Sequence, residues 1–294
     1  MITEELKNRI VKEMLKRRKN FSGSDAKYAT SLGINSAQYS RVKNGERERV
    51  LSDATWLLLA RKLDVGVERE IDWVPVRTPV YDYITAQLEV CQRQSISAIM
   101  CDLADIGKTY TATQYVKNHK NAVLIDCSQV KTKRSLIKQI AKEFGVQTVG
   151  KYSELYEDLI FYLKTIENPL IILDEAGDLQ YDAFLEIKAL WNATENVCGF
   201  YMMGADGLEA KMKRAIENKK VGYTEIFSRF GKRFGKVIAD GDDGKLIINA
   251  SAMKIIKANA PEGADVRKIL NGTMDGEGRA CLRRISVELN KLRV

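Results

Sequence analysis

The chain has 294 residues, 45% hydrophobic and 29% charged, and its 47 Lys and Arg outnumber 39 Asp and Glu to give a net charge of +8. No apolar run approaches the roughly 20 residues a bilayer demands, and no charged-then-apolar leader opens the chain, so a soluble, cytoplasmic protein with no membrane role is expected. Cys91, Cys101, Cys127, Cys198 and Cys281 form no C-x-x-C pair and His119 is the only histidine, which argues against zinc sites, a disulfide framework and a Ser-His-Asp triad. Any chemistry must therefore run on carboxylates, lysine, hydroxyls and a bound cation. The length suits two folding units, one small and one enzyme-sized, and the positive balance favours a polyanionic partner slightly over a merely solvated basic surface.

Ile2, Leu6, Ile10, Val11, Met14 and Leu15 recur at helical spacing within residues 1–20, which predicts an amphipathic first helix. Ser22, Ser24 and Asp25 form an N-cap region for a second helix through Leu32, and Gly33 breaks it. Asn35 and Ser36 cap a third helix that Gly45 closes, and "DATWLLLARKL" from Asp53 supplies a fourth. Pro75 and Pro79 interrupt both helix and strand periodicity and mark a linker.

Beyond the linker, the apolar runs "SISAIMC", "AVLIDC", "PLIILDEA" and "VCGFYMMG" alternate with helical segments over about 80–94, to about 118, from about 133 to 144, from about 152 to 166 and up to Trp191. Strands that are apolar throughout and interleaved with helices predict an α/β parallel sheet covered on both faces. From about residue 240 the pattern reads as a small helical subdomain. The expected division is an all-α region over 1–74, a linker over 75–80, a nucleotide-binding core over 81–240 and a helical lid over 241–294.

Within the first region, Ala29 and Gly33 lie four apart, with Tyr39 and Val42 six and nine residues after Gly33. This pattern resembles the helix-turn-helix of phage repressors: a small residue lets two helices cross closely, glycine makes the turn, and two apolar residues seat the second helix. Its exposed positions would include Gln38, Arg41 and Lys43, suited to base edges and phosphates. From Lys16 to Arg49 nine basic residues face three acidic ones, so the segment carries a local +6. A helical protein-interaction domain with a solvated basic face is the competing reading.

"CDLADIGKTY", Cys101 to Tyr110, follows an apolar run and precedes a helix, the order a phosphate-binding P-loop requires. Gly107 allows close backbone approach, Lys108 reaches the terminal phosphates and Thr109 offers a hydroxyl to magnesium. Asp105, Ile106 and Tyr110 complete the expected contact set for ATP. Sixty-six residues after Lys108, "LIILDEA" ends a strand in Asp174 and Glu175, placed to hold Mg2+ and to polarise the attacking water. Acids are also favoured at helix N-termini by the dipole alone, but the two elements at this spacing point to a nucleotide-binding P-loop fold.

These motifs, with "IILDEAGDL", "FYMMGADG", "EIFSRFGKRF" and "GRACLRRIS", resemble the MuB-type AAA+ transposition ATPases, as does the order of an N-terminal helix-turn-helix and one ATPase domain. The resemblance implies that Arg229 is an arginine finger, with Arg233 its neighbour, and that Arg283, or else Arg284, is the lid's nucleotide sensor. It further implies ATP-dependent assembly of a homo-oligomeric helical filament on double-stranded DNA, which marks a target for a transposase that stimulates hydrolysis. Inner loops after the second strand would supply Lys131, Lys133, Arg134 and Lys151 to DNA. A nucleotide-switched prophage transcription regulator and a helicase loader are the alternatives.

The chain departs from the family at the first P-loop glycine, which is Asp102, at a second glycine position, which is Asp105, and at the sensor asparagine of the fourth strand, which is Ala205 followed by Asp206. The two aspartates either hold the loop through backbone hydrogen bonds under magnesium shielding or oppose the triphosphate as bare charges. The first arrangement is expected. Hydrolysis is expected to be slow or partner-dependent.

Overall fold

The computed structural model of the chain describes residues 2–21, 23–63, 65–66 and 73–292. Its first region is helical: α1 (Glu4–Arg18), α2 (Asp25–Leu32), α3 (Ser36–Lys43) and α4 (Asp53–Lys62). Each start has a local cause. The side chains of Thr3, Ser24, Asn35 and Ser52 accept hydrogen bonds from the free backbone N–H groups of the first turn. Ser22, one of the expected caps, lies outside the described residues.

Leu6, Ile10, Val11 and Met14 are buried as the spacing predicts, against Ala29, Tyr39, Val42 and Trp56. Gly33 ends α2 in the left-handed region at φ 82°, a conformation that costs a Cβ-bearing residue about 1 kcal/mol.

After the linker come α5 (Pro79–Gln94), β1 (Ser97–Cys101), α6 (Lys108–Asn118), β2 (Ala122–Asp126), α7 (Lys133–Glu143), α8 (Tyr152–Thr165), β3 (Leu170–Asp174), α9 (Tyr181–Ala193), β4 (Gly199–Gly204), α10 (Asp206–Glu217), α11 (Tyr223–Arg229) and β5 (Phe234–Gly235). The sheet order is β2-β3-β4-β1-β5, and every pairing is parallel. All residues of β3 and β4 are buried, because helices cover both faces of the sheet. One core lies under α7, α8 and α9, and the other lies under α5, α6 and the C-terminal helices α12 (Asp242–Asn259), α13 (Val266–Thr273) and α14 (Leu282–Lys291).

Three elements escape the sequence pattern. The two residues of β5 pair with Ile99 and Met100 but are too few to show a period. Helices α10 and α11 sit in a charged stretch whose buried residues are sparse, Leu208, Met212 and Ala215 on one and Tyr223 and Ile226 on the other. Lys133 and Arg134 also stand on the first turn of α7, not on the loop before it, because a Thr132–Ser135 capping box starts the helix there.

Parallel register brings the C-terminal ends of β1, β3 and β4 to one edge of the sheet. Cys101 pairs with Gly204, and Leu173 with Met202. Asp174 at the end of β3 and the residues that follow the three strands, Asp102, Glu175 and Ala205 to Asp206, are thereby brought to the same edge. In open α/β sheets this is where ligands bind.

Candidate nucleotide site

The turn between β1 and α6 is built for close approach. Gly107 adopts φ 96° and Asp105 φ 59°, so the backbone reverses within a few residues before Lys108 begins the helix. Lys108 is buried, and its ammonium donates to the carbonyls of Asp102 at 2.9 Å and Leu103 at 2.5 Å. Burial holds this amine below the usual lysine range, although the carboxylates of Asp102, Glu175 and Asp174 pull the other way.

Across the sheet edge, the Thr109 hydroxyl donates to Asp174 Oδ2 at 2.6 Å, and the Glu175 N–H donates to Asp174 Oδ1 at 3.0 Å. Burial raises the Asp174 carboxyl above its ordinary value, a shift these two hydrogen bonds partly offset. Glu175 is raised by burial and then by Asp174 beside it. Its backbone lies at φ 49°, an uncommon conformation for glutamate and one that accumulates at functional sites. Two hard oxygen donors 2.6 Å apart, one on a carboxylate that burial penalises when charged, fit a small divalent cation.

The two aspartates of the loop have separate duties. Asp102 is fully buried; its Oδ1 accepts from the Leu103 N–H at 2.8 Å, and its Oδ2 accepts from the N–H groups of Val237 at 2.6 Å and Ile238 at 3.0 Å. It therefore ties the base of the loop to the segment that leaves β5. Asp105 accepts an ion pair from Arg283 of α14 at 2.9 Å. The backbone bonding expected of both holds for Asp102, whereas Asp105 is compensated by an arginine from the lid.

A cavity of about 380 Å³ lies between this loop and the C-terminal helices. Asp105, Ile106, Gly107, Lys108, Thr109, Tyr110, Glu175 and Arg283 line it, so eight of the residues expected to serve nucleotide are brought together. Arg284 turns elsewhere, donating to the Met274 carbonyl at 3.2 Å. No periodicity in the sequence signals the apolar wall made by Trp73, Tyr81, Ile255 and Leu282. A tryptophan beside a proline-bounded linker was the only signal. Asn259 of α12 pins the chain just before that linker, accepting from the Val74 N–H at 2.7 Å and donating to its carbonyl at 3.1 Å.

Other expected residues lie outside this cavity. Arg229 ends α11, donates to Asn192 Oδ1 at 2.8 Å and lies over the Trp191 ring. Ala205 is the N-cap position of α10 and Asp206 its first residue.

In α3, Gln38 serves a capping box with Asn35, Arg41 pairs with Glu46 and Lys43 pairs with Asp25. Lys131 pairs with Asp178 and Lys133 with the buried carboxylate of Glu186, which also accepts from the Tyr152 hydroxyl. Arg134 is exposed on the first turn of α7 and Lys151 at the start of α8.

A parallel sheet with a phosphate-type loop, a facing Thr–Asp pair and a helical lid defines an AAA+ protein, and residues 97–212 match the family model of the AAA domain. That domain marks a nucleotide-hydrolysing ATPase family and implies nucleotide with a divalent metal. The chain is also similar to the Mu-like prophage FluMu DNA transposition protein B of Haemophilus influenzae, 25% identical over 213 residues that cover 71% of this chain and 73% of the relative. Both likenesses support a MuB-type AAA+ ATPase. Among the described residues no helix is long and apolar enough to cross a membrane.

Proposed function

We infer that the chain is an ATP-dependent DNA-binding accessory protein of transposition, which assembles as a homo-oligomer on target DNA and recruits or activates a transposase. The observation that carries this reading is the Thr109–Asp174 contact at the mouth of the P-loop, in a chain similar to a DNA transposition protein. The domain division expected from the sequence, with a DNA-binding region over 1–74 and a lid over 241–294, is part of the same proposal.

Each role follows from position. The backbone of residues 105–109 and the Lys108 ammonium meet the phosphates of ATP, and the apolar wall with Trp73 and Tyr81 receives the base. Thr109 and Asp174 would hold Mg2+, which supplies charge neutralisation between the terminal phosphates. Glu175 orients and deprotonates the attacking water. Arg229 projects from α11 outside its own cavity, a placement that suits completing the site of a neighbouring subunit. DNA contacts are assigned to Gln38, Arg41 and Lys43 on α3 and to Lys131, Lys133, Arg134 and Lys151 near the starts of α7 and α8. The ion pairs of Arg41, Lys43 and Lys131 are solvent-exposed on both sides and each worth about 0–1 kcal/mol, so phosphates can displace them, whereas Lys133 stays bound to the buried Glu186 carboxylate unless that charge is compensated.

Electron microscopy of the protein with long duplex DNA, with and without ATP and magnesium, tests the proposal. Continuous ATP-dependent coating is expected. Occupancy of one discrete palindromic site, independent of length, would transfer the chain to the transcription regulators.

A further inference from the structure

Helix α7 carries a pattern besides its buried stripe of Leu136, Ile137, Ile140 and Ala141. Arg134, Lys138 and Lys142 recur every four residues and so form one row along the helix. Arg134 and Lys138 are exposed and Lys142 is half-buried. None of the three has an ion-pair partner among the described residues, whereas Lys131 and Lys133 beside them are neutralised by Asp178 and Glu186. Like charges four apart destabilise a helix, so folding gives no reason for the row. Burial, and then Lys62 nearby, hold the Lys142 amine below the ordinary lysine range. An anion placed there would relieve both effects.

The row leads to the N-terminal helices. The Lys142 ammonium lies 3.9 Å from where a Cβ on Gly33 would stand, and Gly33 is the turn between α2 and α3. This juxtaposition is fixed by several contacts. Lys62 pairs with Glu143 at 2.9 Å, Asn20 donates to the Lys117 carbonyl at 2.6 Å, and the Lys27 ammonium stands 3.8 Å from the centre of the Tyr162 ring. Gly145, just past α7, approaches the Lys27 carbonyl so closely that a Cβ would not fit. The start of α3, with Ser36 and Ala37 exposed, thus opens beside the end of the row.

We propose that Arg134, Lys138 and Lys142 form a phosphate-binding row that joins the start of α7 to the α2–α3 turn, so that one duplex DNA segment is held by both parts of the chain at once. The proposal rests on the DNA-binding reading above and adds Lys138 and Lys142, which that reading does not use, together with a single continuous path. Eight residues of helix span about 12 Å, the axial length of roughly three or four base pairs, which matches a short run of phosphates.

Two measurements on the full chain with ATP and magnesium decide it. The first is lysine acetylation with and without a random-sequence duplex, read by mass spectrometry. Lys138 and Lys142 should be protected severalfold together with Lys43, while Lys254 and Lys257, exposed on α12, stay reactive. The second is the dependence of duplex affinity on salt. Lys138→Ala/Lys142→Ala should lower the slope of log K against log salt by about two, near 0.9 per lost phosphate contact, with an unchanged melting curve. A parent protein that binds no duplex sinks the DNA reading and this row with it. A parent that binds duplex while both lysines stay reactive and the slope is unmoved overturns the row alone. Protection by single-stranded RNA but not by duplex overturns the duplex assignment.

Discussion

Arg283 of the C-terminal lid is bound to Asp105 of the phosphate loop at 2.9 Å. The pair joins two parts of the chain 178 residues apart in sequence across the mouth of the nucleotide cavity, and it occupies the arginine that the family resemblance assigns to the triphosphate. Arg283 is 83% exposed, so the pair is weak in itself and exchangeable. On the proposed reading Asp105 competes with ATP for Arg283, while Asp102 is a buried structural anchor.

The two aspartates should therefore respond oppositely to glycine. Asp105→Gly frees Arg283 and relieves φ 59°, and is expected to tighten ATP binding about two- to fivefold, the worth of an exposed ion pair, with little loss of stability. Asp102→Gly strands the N–H groups of Val237 and Ile238 and should cost about 3 kcal/mol of unfolding free energy. Nucleotide titration and chemical denaturation of the two single variants separate the effects. Equal behaviour of the pair contradicts the assignment.

Lys108→Ala removes the only ammonium that lines the cavity among the described residues. ATP affinity is expected to fall about 10- to 100-fold, the scale of a lost charge-assisted hydrogen bond, and DNA coating should fail at moderate ATP. Calorimetry reads the first and microscopy the second; undiminished affinity rules out the site.

Glu175→Gln should retain ATP and slow hydrolysis by about 100-fold or more, as expected for loss of a general base. The folded-state pKa of Glu175 is raised, so its ionised form, which the chemistry needs, is lost as pH falls through a value above the usual glutamate range. The acid limb of the pH–rate profile should accordingly lie above 4.5 in the parent and be absent from the residual rate of the variant. A parent limb at the ordinary carboxylate position would remove Glu175 from this role.

Asp174 tests the linkage between charge and stability. Its folded pKa is raised by burial, so the native state holds a proton more tightly than the unfolded chain, and stability declines as pH rises from the unfolded pKa through the folded one. Asp174→Asn keeps an acceptor for the Thr109 hydroxyl without the buried charge. Without metal at neutral pH it should melt higher than the parent, while magnesium should no longer stabilise its nucleotide complex. A lower melting temperature would show that the hydrogen bonds outweigh the burial penalty.

Among the described residues Arg229 donates only to Asn192 and lies over Trp191, so Arg229→Ala should leave folding nearly intact, with a loss of about 0.5–1 kcal/mol. ATP binding should persist and hydrolysis fall. Mixing this variant with Glu175→Gln should restore part of the rate if Arg229 serves a neighbour, because some interfaces then pair an intact finger with an intact base. No recovery at any ratio would place Arg229 outside the reaction.

Local sequence determined the elements whose cause is local. The caps Ser24 and Asn35 bond the free N–H groups of their own first turns, the apolar runs of β1 to β4 are too short for buried helices and suit strands covered on both faces, and the order of strand, Gly107-Lys108-Thr109 and helix is set within one short segment. Asp174 and Glu175 were legible because an apolar strand that ends in two acids must place them at the sheet edge. Tertiary structure alone decided what depends on contacts between distant segments. It sent Asp102 inward to Val237 and Ile238, matched Asp105 with Arg283, spent Lys133 on Glu186 and laid Trp73, just before the linker, against the cavity beside the P-loop. The physical reason is that a charged or aromatic side chain has no preferred partner until packing removes water from one side of it, and no periodicity in the chain encodes which neighbour the fold will then supply.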